Sequence, residues 1–325
     1  MLVIISAIFT SALTNFDFRG GYGYQILIVT LAFLIAHFIN FKQFREIFSK
    51  YILILSVISI LVFVIANSFS WILGYFPVHE NTAGVEIANL YISGVHLGTG
   101  EVRNTSIFRE PGVFMIYLVL CILFELFYAI KPNMKHVVVY IITIITTFST
   151  AAILILFFVI AGYLLRSKSK GHVKYKAIFL IAAFIIISIF IFNPDVSSRI
   201  FSKLNVDHAS YGSFISRAAS VIVNYDIFLA NPVFGSGLSN YGNLFESYSI
   251  YHYGLSLNAD GQSSNSFMSI FATYGFMYGS IIIIAFISLT KSFTNNKLLR
   301  IILFLSLLLM FSNEDMRYSL FFYVL

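Results

Sequence analysis

Residues 137–165 read VVVYIITIITTFSTAAILILFFVIAGYLL, an apolar run of 29 residues with hydroxyls gathered at its centre, Thr146-Thr147-Phe148-Ser149-Thr150. As one straight helix it would be about 44 Å long, well beyond the hydrocarbon core of a bilayer. Basic residues flank it on both sides: Lys131 and Lys135 before it, and Arg166, Lys168, Lys170, Lys174 and Lys176 after it. A single crossing would put one of these clusters outside, against the bias of Lys and Arg towards cytoplasmic loops. Two full crossings would need about 40 residues. The charges therefore predict a break at 146–150, where two short helices meet and turn back. Hydroxyl side chains there can satisfy the freed backbone groups. The bland alternative is one long tilted helix whose Ser and Thr bond back to their own backbone.

The rest of the chain has the same character. Of its 325 residues, 59% are hydrophobic and 10% charged, and the mean hydropathy is +0.88. Soluble domains carry about 25% charged residues, so this composition excludes a soluble fold. Further spans are expected at 24–41, 51–76, 111–130, 177–193 and 265–290, with weaker ones at 1–16, 298–312 and 317–325. No small-x-small cleavage site follows 1–16, so that segment reads as a retained span or anchor. The fold class that follows is an all-α polytopic integral membrane protein.

Charge sets the orientation. Loops 42–50, 131–136, 166–176 and 291–300 hold 13 of the 20 basic residues against one acid, Glu46, and are assigned to the cytoplasm. Loops 17–23, 77–110, 194–264 and 313–317 hold the other seven, Arg19, Arg103, Arg109, Arg199, Lys203, Arg217 and Arg317, with 12 acids, and face outward. The net charge of +6 is thus a property of the cytoplasmic side and gives no support for nucleic-acid binding. The chain divides into N-terminal helices (1–193), a large extracytoplasmic loop (194–264) and C-terminal helices (265–325). Within the loop, 213–230 reads as an amphipathic helix lying along the membrane surface. Phe214, Ala218, Val221, Ile222, Tyr225, Phe228 and Leu229 form its apolar face, and Arg217, Ser220 and Asn224 share another.

Candidate chemistry lies outside. Arg109-Glu110-Pro111-Gly112 opens the span 111–130. Pro111 suits the first helical position, and the free amides near Gly112 attract an anion. Arg109 adds a bidentate fork suited to phosphate, and Glu110 is a candidate proton acceptor. Gly235 and Gly237, after Asn231-Pro232, allow close backbone approach. Ser263-Ser264-Asn265-Ser266 opens the next span, inside which Gly275 and Gly279 form a G-x-x-x-G packing pair. Tyrosines 211, 225, 241, 248, 251 and 253 crowd the large loop and suit either sugar faces or the interfacial belt. Glu125 reads as a structural partner of Lys131. Cys121 is a packing thiol. His79, His96, His208 and His252 lack metal-ligand spacing, so neither a metal nor another cofactor is expected. No G-x-S-x-G, P-loop or H-E-x-x-H occurs.

Taken in order, these segments resemble the bacterial O-antigen and capsular polysaccharide polymerases of the O-antigen ligase superfamily. Ser106-Ile107-Phe108-Arg109-Glu110-Pro111-Gly112 is similar to their outer-face motif. Thr146 to Thr150 resembles the L-x-x-S-x-S/T break, and Arg217 with Asn231-Pro232-x-x-Gly235-x-Gly237 resembles R…P-x-x-G-x-G. Ser264-Asn265 with Tyr274-Gly275 is similar to H-N-x-[FY]-[LM]…Y-G, with Ser264 where the ligase-like pattern has His. The resemblance covers roughly 104–290. It implies a GT-C-like helical bundle in the inner (cytoplasmic) membrane that joins undecaprenyl-pyrophosphate-linked sugar repeat units on its outer face. A chain-length regulator is a further expected partner, with membrane lipid around it.

On that reading Arg217 and Arg109 bind the pyrophosphate and Glu110 is the base, with Asp226, Asp260 or His252 as substitutes. Arg103, Gly112, Ser220, Asn224, Gly235, Gly237 and Asn265 are expected substrate contacts. A ligase is the nearest alternative. A flippase would be expected to show related halves and midplane charge, which are not found. A non-catalytic membrane scaffold is the third class, opposed only by the ordered motifs. The chain begins and ends inside apolar runs, whereas family members are commonly longer, so it reads as a short member or a fragment.

Overall fold

The computed structural model describes residues 2–80, 86–97, 102–166 and 211–325. The expected span 177–193, the lysines at 168–176 and the stretch 194–210 lie outside the described residues.

Helices dominate: α1 Leu2–Thr14, α2 Gly20–Phe38, α3 Phe41–Ser68, α4 Pro111–Leu123 with a π turn Phe124–Tyr128, α5 Met134–Thr146, α6 Thr150–Arg166, α7 Tyr211–Ala230, α8 Gly237–Tyr253, α9 Ala259–Gln262, α10 Ser266–Phe293, α11 Lys297–Ser312 and α12 Leu320–Val324. Among the described residues, four apolar segments are long enough to cross a membrane: α2, α3, Pro111–Tyr128 and α10. From Pro111 to Leu123 every residue but Tyr117 is buried, as expected of a helix that is apolar all round and serves as the centre of a bundle. The outer helices instead expose rows of aliphatic side chains, such as Leu61, Ile284 and Ile301. In an all-α bundle of this kind such rows face lipid, and the protein is a multi-pass membrane protein.

The run 137–165 is broken where the hydroxyls cluster. α5 ends at Thr146 and α6 starts at Thr150. At about 1.5 Å per residue the two arms are about 20 and 26 Å long, so neither spans a bilayer alone. Phe148 takes a left-handed φ of 47°. Thr146 and Thr147 hydroxyls donate to the carbonyls of Thr143 and Ile144, each at 2.7 Å. Arg103 Nε donates to the Thr147 carbonyl at 3.0 Å. The groups freed by the break are thus held by side chains, as a hairpin in an apolar setting requires.

Contacts sort the loops into the two sets that charge predicts. At one end, Arg45 lies 5.0 Å over the Tyr128 ring, Tyr140 donates to the Ser49 carbonyl at 2.9 Å, and Arg166 donates to the Leu126 carbonyl. Glu125 pairs here with His136 at 3.3 Å and accepts from the Asn133 amide, where the sequence pointed to Lys131. At the other end, Asp17 accepts from the Ser239 amide at 2.6 Å, and Arg109 donates to the Asp315 carbonyl at 3.2 Å.

Three features differ from the sequence reading. The basic loop 42–50 is helical, because Asn40 and Gln43 form a capping box that starts α3 at Phe41. Segment 77–110 carries a small antiparallel meander, β1 Val78–Glu80, β2 Glu86–Asn89, β3 Gly94–His96 and β4 Arg103–Ser106. Its buried Ala88, Leu90 and Val95 pack on Val62 and Ala66 of α3. The third difference is in α7, which buries Ala219, Val223 and Ile227 and leaves Val221, Ile222, Tyr225 and Leu229 exposed. The apolar stripe expected on a membrane-surface helix is thus open, and a second stripe that the sequence reading did not name packs on the protein.

Asn104 ties the sheet to the bundle. Its Nδ2 donates to Ser59 Oγ at 3.0 Å and Thr146 Oγ1 at 2.9 Å, and its Oδ1 accepts from the Ser106 amide. Asn104→Ala is expected to cost about 1–3 kcal/mol, since it orphans a buried amide. A thermal melt in detergent checks this.

Candidate active site

The candidate residues near 103–112 and 217 meet at a residue the sequence did not single out, Glu314. It lies in the turn between α11 and α12 and is buried, its side chain 4% exposed. Arg109 Nη2 is 3.8 Å from its Oε2 and Arg217 Nη2 is 3.7 Å from its Oε1. Both arginines also donate to backbone of the same turn, Arg109 to the Asp315 carbonyl at 3.2 Å and Arg217 to the Asn313 carbonyl at 3.5 Å. Their side chains stay partly exposed, at 54% and 36%. The result is a forked cationic surface over a buried carboxyl. Burying the Glu314 charge costs more than ion pairs of 3.7–3.8 Å to half-solvated cations return, which fits a role in binding better than one in folding.

Gly112 makes the arrangement possible. A Cβ there would overlap the Glu314 carboxyl and come within 3.2 Å of Asn313 Nδ2. The preceding Glu110 is the N-cap of α4, yet its side chain does not cap the helix. Burial pushes the Glu314 carboxyl up to about 8. Glu110 adds to the rise, and Arg217, Arg109 and Arg103 pull the other way. Burial wins although two guanidinium groups lie within 4 Å, because desolvating a carboxylate outweighs cations that are themselves half-solvated.

The turn bearing Glu314 is firmly held. Ser266 Oγ donates to the Glu314 carbonyl at 2.6 Å and accepts from the Met316 amide at 2.9 Å. Buried Arg317 pairs with Asp315 at 2.8 Å, donates to Thr273 Oγ1 at 3.0 Å and lies 4.6 Å over the Tyr241 ring. Arg103 spends its guanidinium on the Thr147 and Phe148 carbonyls of the α5–α6 break and acts on Glu314 through its charge.

The other expected contacts are engaged inside the fold. Asn224 Nδ2 donates to the Ser220 carbonyl at 2.6 Å and to Ser263 Oγ at 3.3 Å, and its Oδ1 accepts from Tyr241 at 2.8 Å. Ser220 Oγ accepts from the Ser264 amide at 3.0 Å. Asn265 caps α10 by accepting from the Met268 amide at 2.9 Å, which fixes Ser266 and, through it, Glu314. Gly235 and Gly237 take φ values of 71° and 74° where the 232–237 turn docks backbone to backbone on a kink in α10. The Ser236 amide donates to the Ala272 carbonyl at 2.9 Å and the Phe276 amide to the Pro232 carbonyl at 2.8 Å.

A missed signal for Glu314 existed. Glu314, Asp315 and Arg317 put three charges into one short turn between two apolar helices, and ionisable residues beside a membrane core mark functional sites by default.

Fold and site together define a polytopic membrane protein in which loops at one end of the bundle gather arginines around a buried carboxyl. Residues 136–284 match the family model described as O-antigen ligase, which places this segment in the O-antigen ligase superfamily of membrane enzymes acting on polysaccharides. The matched region includes the helix break, Arg217, both loop glycines and Asn265, a little under half of the chain; Arg103, Arg109, Glu110, Gly112 and Glu314 lie beyond it. No curated protein and no solved structure matches the chain.

Proposed function

We propose that the protein polymerises undecaprenyl-pyrophosphate-linked oligosaccharide repeat units into a surface polysaccharide (O-antigen, capsule or exopolysaccharide) on the outer face of the cytoplasmic membrane. The observation that carries this reading is the convergence of Arg109 and Arg217 on one turn, both side chains partly exposed. A lipid pyrophosphate leaving group develops negative charge, and preorganised cations in a water-poor cleft stabilise it best. Arg109 and Arg217 hold the pyrophosphate, the amides at the start of α4 assist, and Arg103 adds positive potential.

Ligation to a lipid A acceptor is the second reading, favoured by the description of the matched family. It uses the same residues and differs only in what attacks. Ser264, standing where the ligase-like pattern has His, favours polymerisation. Vesicles holding the purified protein, supplied with undecaprenyl-pyrophosphate-linked repeat units, test the choice. A gel ladder spaced by one repeat unit supports the polymerase. A single product that needs added lipid A supports the ligase instead.

Gly112 gives a sharp local prediction. Gly112→Ala is expected to displace the Glu314 carboxyl and lower product formation at least about tenfold, the scale of a misplaced reacting group. The α4 helix itself tolerates alanine, which is the better helix former by about 1 kcal/mol, so the melting temperature should change little. Rate and melting curve measured on one preparation check both halves.

A further inference from the structure

Glu314 is more than a counter-ion for the arginines. Its Oε1 is buried with no hydrogen-bond partner among the described residues, although buried polar atoms are otherwise nearly always paired. The charged groups around it come from three packed elements: Arg103 on β4, Arg109 and Glu110 before α4, and Arg217 on α7, with Asp315 next in sequence. Arg109 and Arg217 are also anchored to backbone carbonyls of the turn, so their placement does not depend on the carboxylate. Oε1 itself fills the space that a side chain at position 112 would take, so glycine there is what lets the carboxyl lie beside the start of α4.

We propose, on the premise of the transfer reading above, that Glu314 rather than Glu110 accepts the proton of the attacking sugar hydroxyl. The acceptor oxygen forms the new bond to the anomeric carbon and its proton passes to a Glu314 carboxylate oxygen. The bond from the anomeric carbon to the phosphate oxygen breaks, and the electron pair leaves with the lipid pyrophosphate, held by Arg109 and Arg217. A bound pyrophosphate engages the two guanidinium groups that otherwise favour the ionised carboxylate. The proton affinity of Glu314 therefore rises when the acceptor must lose its proton. A base serves best when its proton affinity is matched to the working pH.

The test compares wild type, Glu314→Gln, Glu314→Asp and Glu110→Gln in vesicles. It measures the rate of glycosidic-bond formation against pH and, separately, the binding of undecaprenyl pyrophosphate. Glu314→Gln is expected to slow transfer about a hundredfold or more while keeping the affinity for the probe within a few-fold. Its residual rate should lose the wild-type rise on going up through about pH 8, where the carboxyl becomes the carboxylate. Glu314→Asp should recover part of the rate, and Glu110→Gln should keep the wild-type pH profile. A Glu314→Gln rate within about threefold of an active wild type, or an unchanged pH profile, overturns the base role and leaves the transfer reading standing. Loss of probe binding in Glu314→Gln also overturns it, assigning Glu314 to holding the arginines. A wild type that forms no glycosidic bond with any acceptor removes the premise and the proposal together.

Discussion

Replacing Arg217 by alanine is expected to lower glycosidic-bond formation by about a hundred- to a thousand-fold, the effect of removing one preorganised donor from developing charge. The protein should still insert and melt normally. Arg217 is partly exposed, and burial raises the proton affinity of the Glu314 carboxyl it faces, so losing the 3.7 Å contact leaves a protonated carboxyl and not a stranded buried charge. The amide network that positions α7 runs instead through Ser220, Asn224, Tyr241 and Ser263, which the substitution leaves untouched. Arg217→Lys should recover only part of the rate, because an ammonium lacks the planar fork that suits a phosphate. Polymer amount and length, measured beside a detergent melt, decide the matter. Normal polymer from a normally inserted Arg217→Ala protein would contradict the assignment.

Gly275→Ala is expected to be the most damaging single substitution for folding. Gly275 sits inside α10 with φ 79° and ψ −173°, a region essentially closed to residues with a Cβ, at a cost of about 1–3 kcal/mol in strain alone. The added methyl would also overlap the Val233 carbonyl and approach the Gly235 nitrogen at 2.6 Å. Both belong to the turn that docks on the kink, so nothing there can yield without breaking the Phe276–Pro232 and Ser236–Ala272 backbone bonds. The expected outcome is a collapse in the yield of monodisperse protein on size exclusion. Wild-type yield with a melting temperature shifted by less than about 2 °C, under 1 kcal/mol for a chain of this size, would show that the kink is not required.

How far the sequence could be read follows from the physics of each element. The broken run 137–165 was legible because hydroxyls mark its centre and opposed charge clusters forbid a single crossing. The grouping of the described loops at two ends of the bundle was legible from their charges. The sheet at 78–106 was not, since its strands are three or four residues long and too short to show alternation. In α7 both stripes contain apolar residues at helical spacing. Only the partners of Ser220 and Asn224 decide which stripe turns inward. The motif glycines could be read as sites of close approach, but what approaches them, the backbone of α10, comes from a distant part of the chain. Glu314 lacks any motif and gains its meaning only when folding brings it against Gly112.

The most direct test of a transfer site at Arg109, Arg217 and Glu314 is to count the lipid pyrophosphate released by the reconstituted protein. One undecaprenyl pyrophosphate is expected to be released for each new glycosidic bond, with both lost together in Arg217→Ala. Movement of the lipid-linked sugar across the bilayer with no pyrophosphate released would contradict it and favour a transporter.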